Sequence, residues 1–451
     1  MEDQKKAKLF ETVPIPRAVM TLAVPTILSS LVMVLYNLAD TYFVGMLGDP
    51  VQNAAVTLAA PVLLAFNAVN NLFGVGSSSM MSRALGRKDY ETVRRSSAFG
   101  FYGALLCGVL FSLGFAALWD PALRLLGADA VTAEATGRYL QWTVVCGAAP
   151  AILNVVLAHL VRSEGGAFHA SVGTMSGCLL NIVLDPIFIM PWGLGMGAAG
   201  AGLATFLSNC VACLYFFVLL LARRGRTYVC IDPRAFRPSR DIVIGVCGVG
   251  IPAAIQNLLN VTGMTVLNNF TAAYGSAAVA AMGISQKISM VPLYISMGLS
   301  QGVMPLISYN FGSGNIRRLK GALLFCVKLS VSAMVVICAG CFLGSEWLVS
   351  LFMENGEIVA YGGRFLRGMC LAMPFLCVDF LAVGVFQACG MGRRALVFAI
   401  ARKIVLEIPA LVVWNIVLPL YGLAYAQTTA EVVMAVLAAF TLRKLLRELE
   451  G

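Results

Sequence analysis

Charge is the scarcest commodity in this chain. Only 12% of its 451 residues are charged, 59% are hydrophobic, and the mean hydropathy is +0.84. Soluble domains carry about 25% charged residues, so a water-soluble globular fold is excluded. Histidine occurs only twice, and no H-E-x-x-H pair is present, so a zinc hydrolase of that type lacks its ligands. No G-x-x-x-x-G-K-[ST] loop occurs, which removes a pump driven by a P-loop nucleotide site. No cleavable leader is expected. The first apolar stretch follows a polar start with Lys5, Lys6 and Lys8, and no small-residue cleavage site follows a short apolar core.

Apolar runs fill the space left by charge. A bilayer-crossing helix needs about 20 apolar residues. Such stretches are expected at 18–46, 54–82, 96–118, 138–161, 168–190 and 196–222, and again at 242–273, 277–310, 321–343, 361–390, 396–418 and 421–443. The expected fold class is an all-α membrane protein with twelve transmembrane helices. The 13 cysteines are scattered through these runs. The C-x-x-C pairs Cys210/Cys213 and Cys338/Cys341 lie in mid-helix and read as small buried side chains. No metal centre or cofactor is expected.

The net charge is +10, but its placement argues against nucleic acid. Basic residues gather in the N-terminal tail, in alternate loops such as Arg83–Arg95 and Arg223–Arg240, and in the C-terminal tail; these hold 24 of the 32. Positive charge stays on the cytoplasmic side of a membrane. Both termini are therefore expected in the cytoplasm of a multi-pass plasma-membrane protein.

The two halves repeat. Ser82 and Gly86 match Ser308 and Gly312 at an offset of 226, and Ala23-Val-Pro25 matches Gly250-Ile-Pro252 at 227. Six spans per half give both halves one orientation, so they are related by a pseudo-twofold axis along the membrane normal. The expected division is an N-lobe at 1–222, a basic cytoplasmic linker at 223–241 carrying Pro233 and Pro238, and a C-lobe at 242–451.

Two acids stand inside apolar spans. Asp40 is about 22 residues into the first span and Asp185 about 17 into the fifth, which at ~1.5 Å per residue places both in the outer half of the bilayer. Asn181 precedes Asp185 by one helical turn, and Thr205 reaches a similar depth on the returning sixth span. Ionised carboxylates are expensive in hydrocarbon, and two of them near one another favour uptake of a proton. An amide and a hydroxyl complete a set able to hold a proton or a hydrated sodium ion. Pro25, fifteen residues before Asp40, removes a helix hydrogen bond and could let the span change shape. Asp379 is mid-span and could touch substrate or a second ion. Arg402, Lys403 and Glu407 share a helix face; Glu431 has no assigned partner, and His159 is assigned a packing role.

At these residues the chain resembles the multidrug and toxic compound extrusion (MATE) family. Tyr36-Asn-Leu-Ala-Asp40-Thr-Tyr-Phe-Val-Gly45 looks like its first-helix signature, Asn181-Ile-Val-Leu-Asp185-Pro186 like its fifth-helix signature, and Arg162-Ser-Glu-Gly165 fits too. The resemblance implies two six-helix lobes in a V and export of amphipathic, often cationic, compounds against proton or sodium entry. It points to the DinF-type branch, where Asp40 and Asp185 would be the coupling acids with Asn181 and Thr205 beside them. Tyr36 and Asn154 would join at substrate or gate. Asp379 resembles an acid of the NorM-type branch, but its partner position holds Asn260. The expected protein is not an enzyme. It is a monomeric carrier of drug-like molecules in a lipid bilayer. The runner-up is a lipid-linked sugar flippase of the same superfamily, disfavoured by the few basic residues inside the spans.

Overall fold

The computed structural model describes residues 2–450, with side chains from residue 5 onward. Among the described residues there are helices and no strands. Twelve helical passes follow a short N-terminal helix, Glu2–Glu11. The first half comprises Ile15–Met46, Pro50–Gly86, Tyr90–Ala117, Ala133–Val145 with Ala148–Ser163, Ala167–Ile189 and Ala198–Ala222. The second comprises Arg240–Ala272, Ser276–Gly312, Ile316–Leu343, Gly356–Cys370 with Met373–Ala388, Gly392–Val417 and Leu423–Glu450. Eight are long and apolar enough to cross a bilayer, and ten if each bent pair counts as one span. The remaining two are those that carry Arg402, Lys403, Glu407 and Glu431.

Several helices outrun the apolar stretches that announced them, because a helix stops at its cap and not at the membrane surface. Span 2 starts at Pro50, whose missing N–H costs nothing there, and Asp49 accepts from the Val51 N–H at 2.9 Å. Span 3 starts after Asp89, which accepts from the Thr92 N–H at 3.2 Å. Span 9 starts after Asn315, which accepts from the Arg318 N–H at 3.1 Å. Such caps are worth about 1 kcal/mol each. Spans 4 and 10 occupy equivalent places in the repeat, and both are bent, by 45° and 46°. Three π-helical segments, Asn71–Val75, Gln141–Val145 and Ala401–Glu407, interrupt spans 2, 4 and 11. Each borders a polar site described below, as π-bulges often do.

The lobes meet through small residues. A Cβ at Gly86 would lie 2.1 Å from the Tyr309 carbonyl oxygen, and one at Gly312 would lie 2.1 Å from that of Arg83. These glycines are the matched residues of the repeat, so each loop seats its glycine on the other's backbone. The recurring serines instead tie each loop to its own lobe: Ser82 donates to the Ser163 carbonyl at 2.8 Å and Ser308 to the Ala388 carbonyl at 2.9 Å. Further along, Gly250 abuts the Leu72 carbonyl, while Gly298 and Gly302 abut Ile27 and Ala23. Spans 1 and 8 thus pack as spans 7 and 2 do. Close approach through small residues is the usual basis of helix association in lipid. Burial in spans 1 and 7 is concentrated before Val34 and Ala253. The lobes therefore meet at the basic end and diverge from it as a V.

The N-terminal helix spans that seam. Phe10 is 2% exposed and stacks on Tyr309, with ring centroids 4.8 Å apart. The Tyr309 hydroxyl donates to Glu11 at 2.7 Å, and Arg318 donates to the carbonyls of Leu9, Phe10 and Val13. On the first-lobe side Lys6 pairs with Glu164 at 3.1 Å. Arg318→Met is expected to release this helix. A hydrogen bond to a charged group is worth about 1.5–3 kcal/mol, so trypsin cleavage at Lys5, Lys6 or Lys8 should speed up by roughly tenfold or more. Unchanged cleavage would show that the apolar contacts of Phe10 suffice alone.

Candidate ion-coupling site and substrate cavity

The first-lobe site is assembled by close packing of spans 5 and 6. Span 6 opens Ala198-Ala-Gly-Ala-Gly-Leu-Ala-Thr205, and a Cβ at Gly200 would lie 2.5 Å from the Phe188 carbonyl oxygen of span 5. That proximity brings Thr205 beside Asn181. Asp185 is 0% exposed and Asn181 2%. One edge of the Asn181 amide lies 2.7 and 3.1 Å from the two Asp185 oxygens, and the other lies 3.2 Å from Thr205 Oγ1. An amide has a donor end and an acceptor end. It can donate to an ionised Asp185, or turn over, accept from a protonated one and donate to Thr205.

Asp40 comes in from span 1. It lies close enough to Asp185 for their charges to interact, and its Oδ1 is buried without a hydrogen-bond partner among the described residues. Tyr36, one turn earlier, lies beside Asp40 and Thr205. Tyr139, at the bend of span 4 and 4% exposed, lies in the field of both acids. Tyr139 had no signal in the sequence, because nothing in its local pattern separates it from other span aromatics. The structure thus brings together Tyr36, Asp40, Asn181, Asp185 and Thr205. Asn154 is not among them. Its amide donates to the Pro150 and Ala151 carbonyls and to Asn209 at 3.2 Å. Pro25 lies inside the continuous first helix, near the Gly298 contact.

The second lobe holds a different constellation. Arg402 donates to Glu431 at 2.6 Å, and Lys403 to Glu407 at 2.6 Å. The unassigned Glu431 therefore has its partner on span 11. Asp379, 2% exposed, lies within hydrogen-bonding reach of Glu431. Three acids face two bases, so one acid is in excess. Beside them is a cavity of about 200 Å³ whose lining includes Met264, Met290, Met297, Met369 and Met373 with the Lys403–Glu407 pair. Gly263 leaves room for that pair, since a Cβ there would meet both ends at 3.1–3.2 Å. Apolar, adaptable walls with few charges suit a small-molecule pocket. Lys287 is exposed, and no ion pair reaches it among the described residues. Nor do the described residues gather three or more His, Cys, Asp or Glu able to hold a metal ion.

A smaller polar cavity lies on the seam between the lobes. His159 lines it as well as packing under Gly74, where a Cβ would meet its ring at 2.7 Å. The expected packing role is therefore only part of its position.

This arrangement, two lobes that each carry a bent span and an acid pair within the first, agrees with a family-level match. The MatE family model matches residues 25–187 and 252–413. The chain belongs to the MatE family. The two matched stretches begin at Pro25 and Pro252, the prolines of the internal repeat, and each covers the first five spans of its half. Among relatives of this MatE protein, the multidrug export protein MepA of Staphylococcus saprophyticus is 35% identical over 445 residues, 97% of this chain and 96% of its own length. MepA of Staphylococcus aureus strain MRSA252 is 34% identical over 442 residues, covering the same shares. The fold superposes on a multidrug resistance MATE family transporter of the MOP superfamily solved in an outward-facing conformation. The TM-score is 0.92, with 28% identity and 99% of both chains covered. The V open away from the basic end matches that conformation.

Proposed function

We propose that this MatE protein is a secondary antiporter that exports amphipathic, often cationic, drug-like compounds in exchange for protons or sodium ions. The observation that carries the reading is the set of buried Asn181 and Asp185 with partly buried Asp40 and Thr205, held between spans 1, 5 and 6. Relatives that export drugs support the substrate class, and so does a methionine-lined cavity beside the Asp379–Glu431 cluster. The relatives do not favour the flippase reading.

The proposed cycle follows from charge. With the V open away from the basic end, Asp40 and Asp185 take up a cation and lose their mutual repulsion. Asn181 turns its amide to match. Span 1 then repacks about Pro25, the glycine contacts at the basic end separate, and the cation leaves toward the cytoplasm. Substrate occupancy and cation occupancy favour opposite states, which is the thermodynamic content of exchange. The oxygen donors suit a hard cation as well as a proton. The reading includes a plasma-membrane location, cytoplasmic termini, a monomer, the DinF-type branch, and lobes at 1–222 and 242–451 joined by 223–241.

Proteoliposomes loaded with ethidium test it. An imposed proton gradient or an imposed sodium gradient, each alone, should drive dye movement against its concentration. Movement that neither gradient accelerates would remove the antiport reading.

A further inference from the structure

Buried cations elsewhere in this chain are paired. Arg402 has Glu431 and Lys403 has Glu407, each at 2.6 Å. Arg162 breaks the pattern. It ends span 4 and is 7% exposed, and its Nε is buried without a partner among the described residues. Glu164, two residues on, is already committed: it pairs with Lys6 at 3.1 Å and accepts from Thr227 and the Tyr228 N–H. An uncompensated guanidinium inside a membrane protein is costly and marks a missing counter-charge.

The surroundings say what that counter-charge is. Arg162 lines the seam cavity of about 80 Å³, and no acid lines it. Its other polar walls are His159, three serines and a set of amides, with Asn71 from the first lobe and Gln256, Gln301 and Gln387 among those from the second. Gln387 donates to Gln256 at 3.2 Å, and each amide nitrogen keeps a further N–H to offer. One water needs about 10–15 Å³ of such space, so the cavity holds one small oxyanion with a few waters.

We infer that Arg162 anchors an anion-binding site in the seam between the lobes, built for a carboxylate or a phosphate-sized oxyanion. Arg162 supplies the planar fork that suits such groups, and the second lobe supplies neutral donors. Because the donors come from both lobes, a bound anion ties them together. Occupancy favours the state in which the basic end is closed, and opening that end dismantles the site. The anion is either the acidic end of a zwitterionic substrate or a free ion; the chemistry is shared.

Thermal unfolding of the purified protein in nanodiscs tests this, with sodium phosphate and sodium benzoate as ligands and sodium chloride, which has no oxyanion, as the ionic-strength control. Phosphate or benzoate should raise the midpoint saturably in the wild type, and chloride at matched ionic strength should not. Arg162→Gln should need at least about tenfold more ligand, which is ~1.4 kcal/mol of binding, and Arg162→Lys should keep part of the response. Gln387→Glu covers the case in which Arg162→Gln does not fold. It supplies a fixed carboxylate to the same cavity, so it should raise the ligand-free midpoint and abolish the anion response. Wild-type responses in both variants, or an equal shift with sodium chloride, would overturn the inference. The source is separated by efflux of rhodamine 110, which carries a free carboxylate, and rhodamine 123, its methyl ester. Selective loss of rhodamine 110 export in Arg162→Gln identifies the substrate's carboxylate, and an equal effect on both identifies a free ion. If the wild type exports neither dye, the export reading fails while the binding result stands on its own.

Discussion

Asp185→Asn is expected to reduce gradient-driven export to the level of passive leak while the protein still folds. Asparagine keeps the shape of the side chain and can still hydrogen-bond to Asn181, which lies 2.7 Å away. It cannot carry a charge. In the proposed cycle the fully buried carboxylate is the group whose charge state must differ between the two ends. Removing it should therefore remove coupling without creating a cavity, and the thermal midpoint should not fall. Neutralising a buried ionisable group that lacks a fixed counter-ion is neutral to stabilising. Asp40→Asn should give the same transport defect, since Asp40 has a buried oxygen with no donor and sits in the field of Asp185. The measurement is dye flux in proteoliposomes under an imposed gradient, with the midpoint recorded alongside. Near-wild-type coupled flux in either variant would take that acid out of the coupling site.

Gly312→Val should force the basic end apart. The new Cβ would sit 2.1 Å from the Arg83 carbonyl oxygen, and backbone cannot retreat as a side chain would. Overpacking of an ordinary core costs about 1–3 kcal/mol, and here the strain exists only while the lobes are in contact. The lobes relieve it by separating, so the equilibrium moves by roughly tenfold or more toward the open basic end. Cys389 reports on this. It lies on the seam and is 4% exposed, next to Gly390, where a Cβ would meet the Arg83 guanidinium at 2.4 Å. A bulky maleimide, with the site of modification read by mass spectrometry, should label Cys389 at least about tenfold faster in the variant. Export should fall in parallel. Gly86→Val makes the reciprocal clash with Tyr309 and should behave alike. Gly340→Ala, with nothing near its new Cβ, should change neither reading. A Cys389 that stays protected in both valine variants would mean that these glycines do not close the seam.

Legibility in the sequence varied with the range of the interaction. The twelve apolar stretches correspond to helical passes, because hydropathy is a property of consecutive residues. Their ends were placed less well: span 2 was expected at 54–82 and runs Pro50–Gly86, since capping by Asp49 obeys hydrogen bonding and not hydropathy. Asn181 beside Asp185 followed from helical spacing, and so did Lys403 beside Glu407. The partner of Glu431 lies 29 residues away on another helix, and no local pattern indicated it. Asn154 was expected at the site only through the family resemblance, its place along span 4 being nearer the cytoplasmic end than the acids, and its amide bonds to Asn209 instead.

Residue order alone determined the membrane class, the number of helical passes, the doubled architecture and the acids inside it. Each of these depends on composition or on spacing within one turn or one repeat. Tertiary packing decided the rest: the glycine seats between matched loops, the N-terminal helix laid across the seam, Tyr139 above the acids, and an arginine left without a counter-charge. Those depend on which faces of distant helices meet, and helices in lipid choose their faces by shape and hydrogen bonding, which a list of residues does not record.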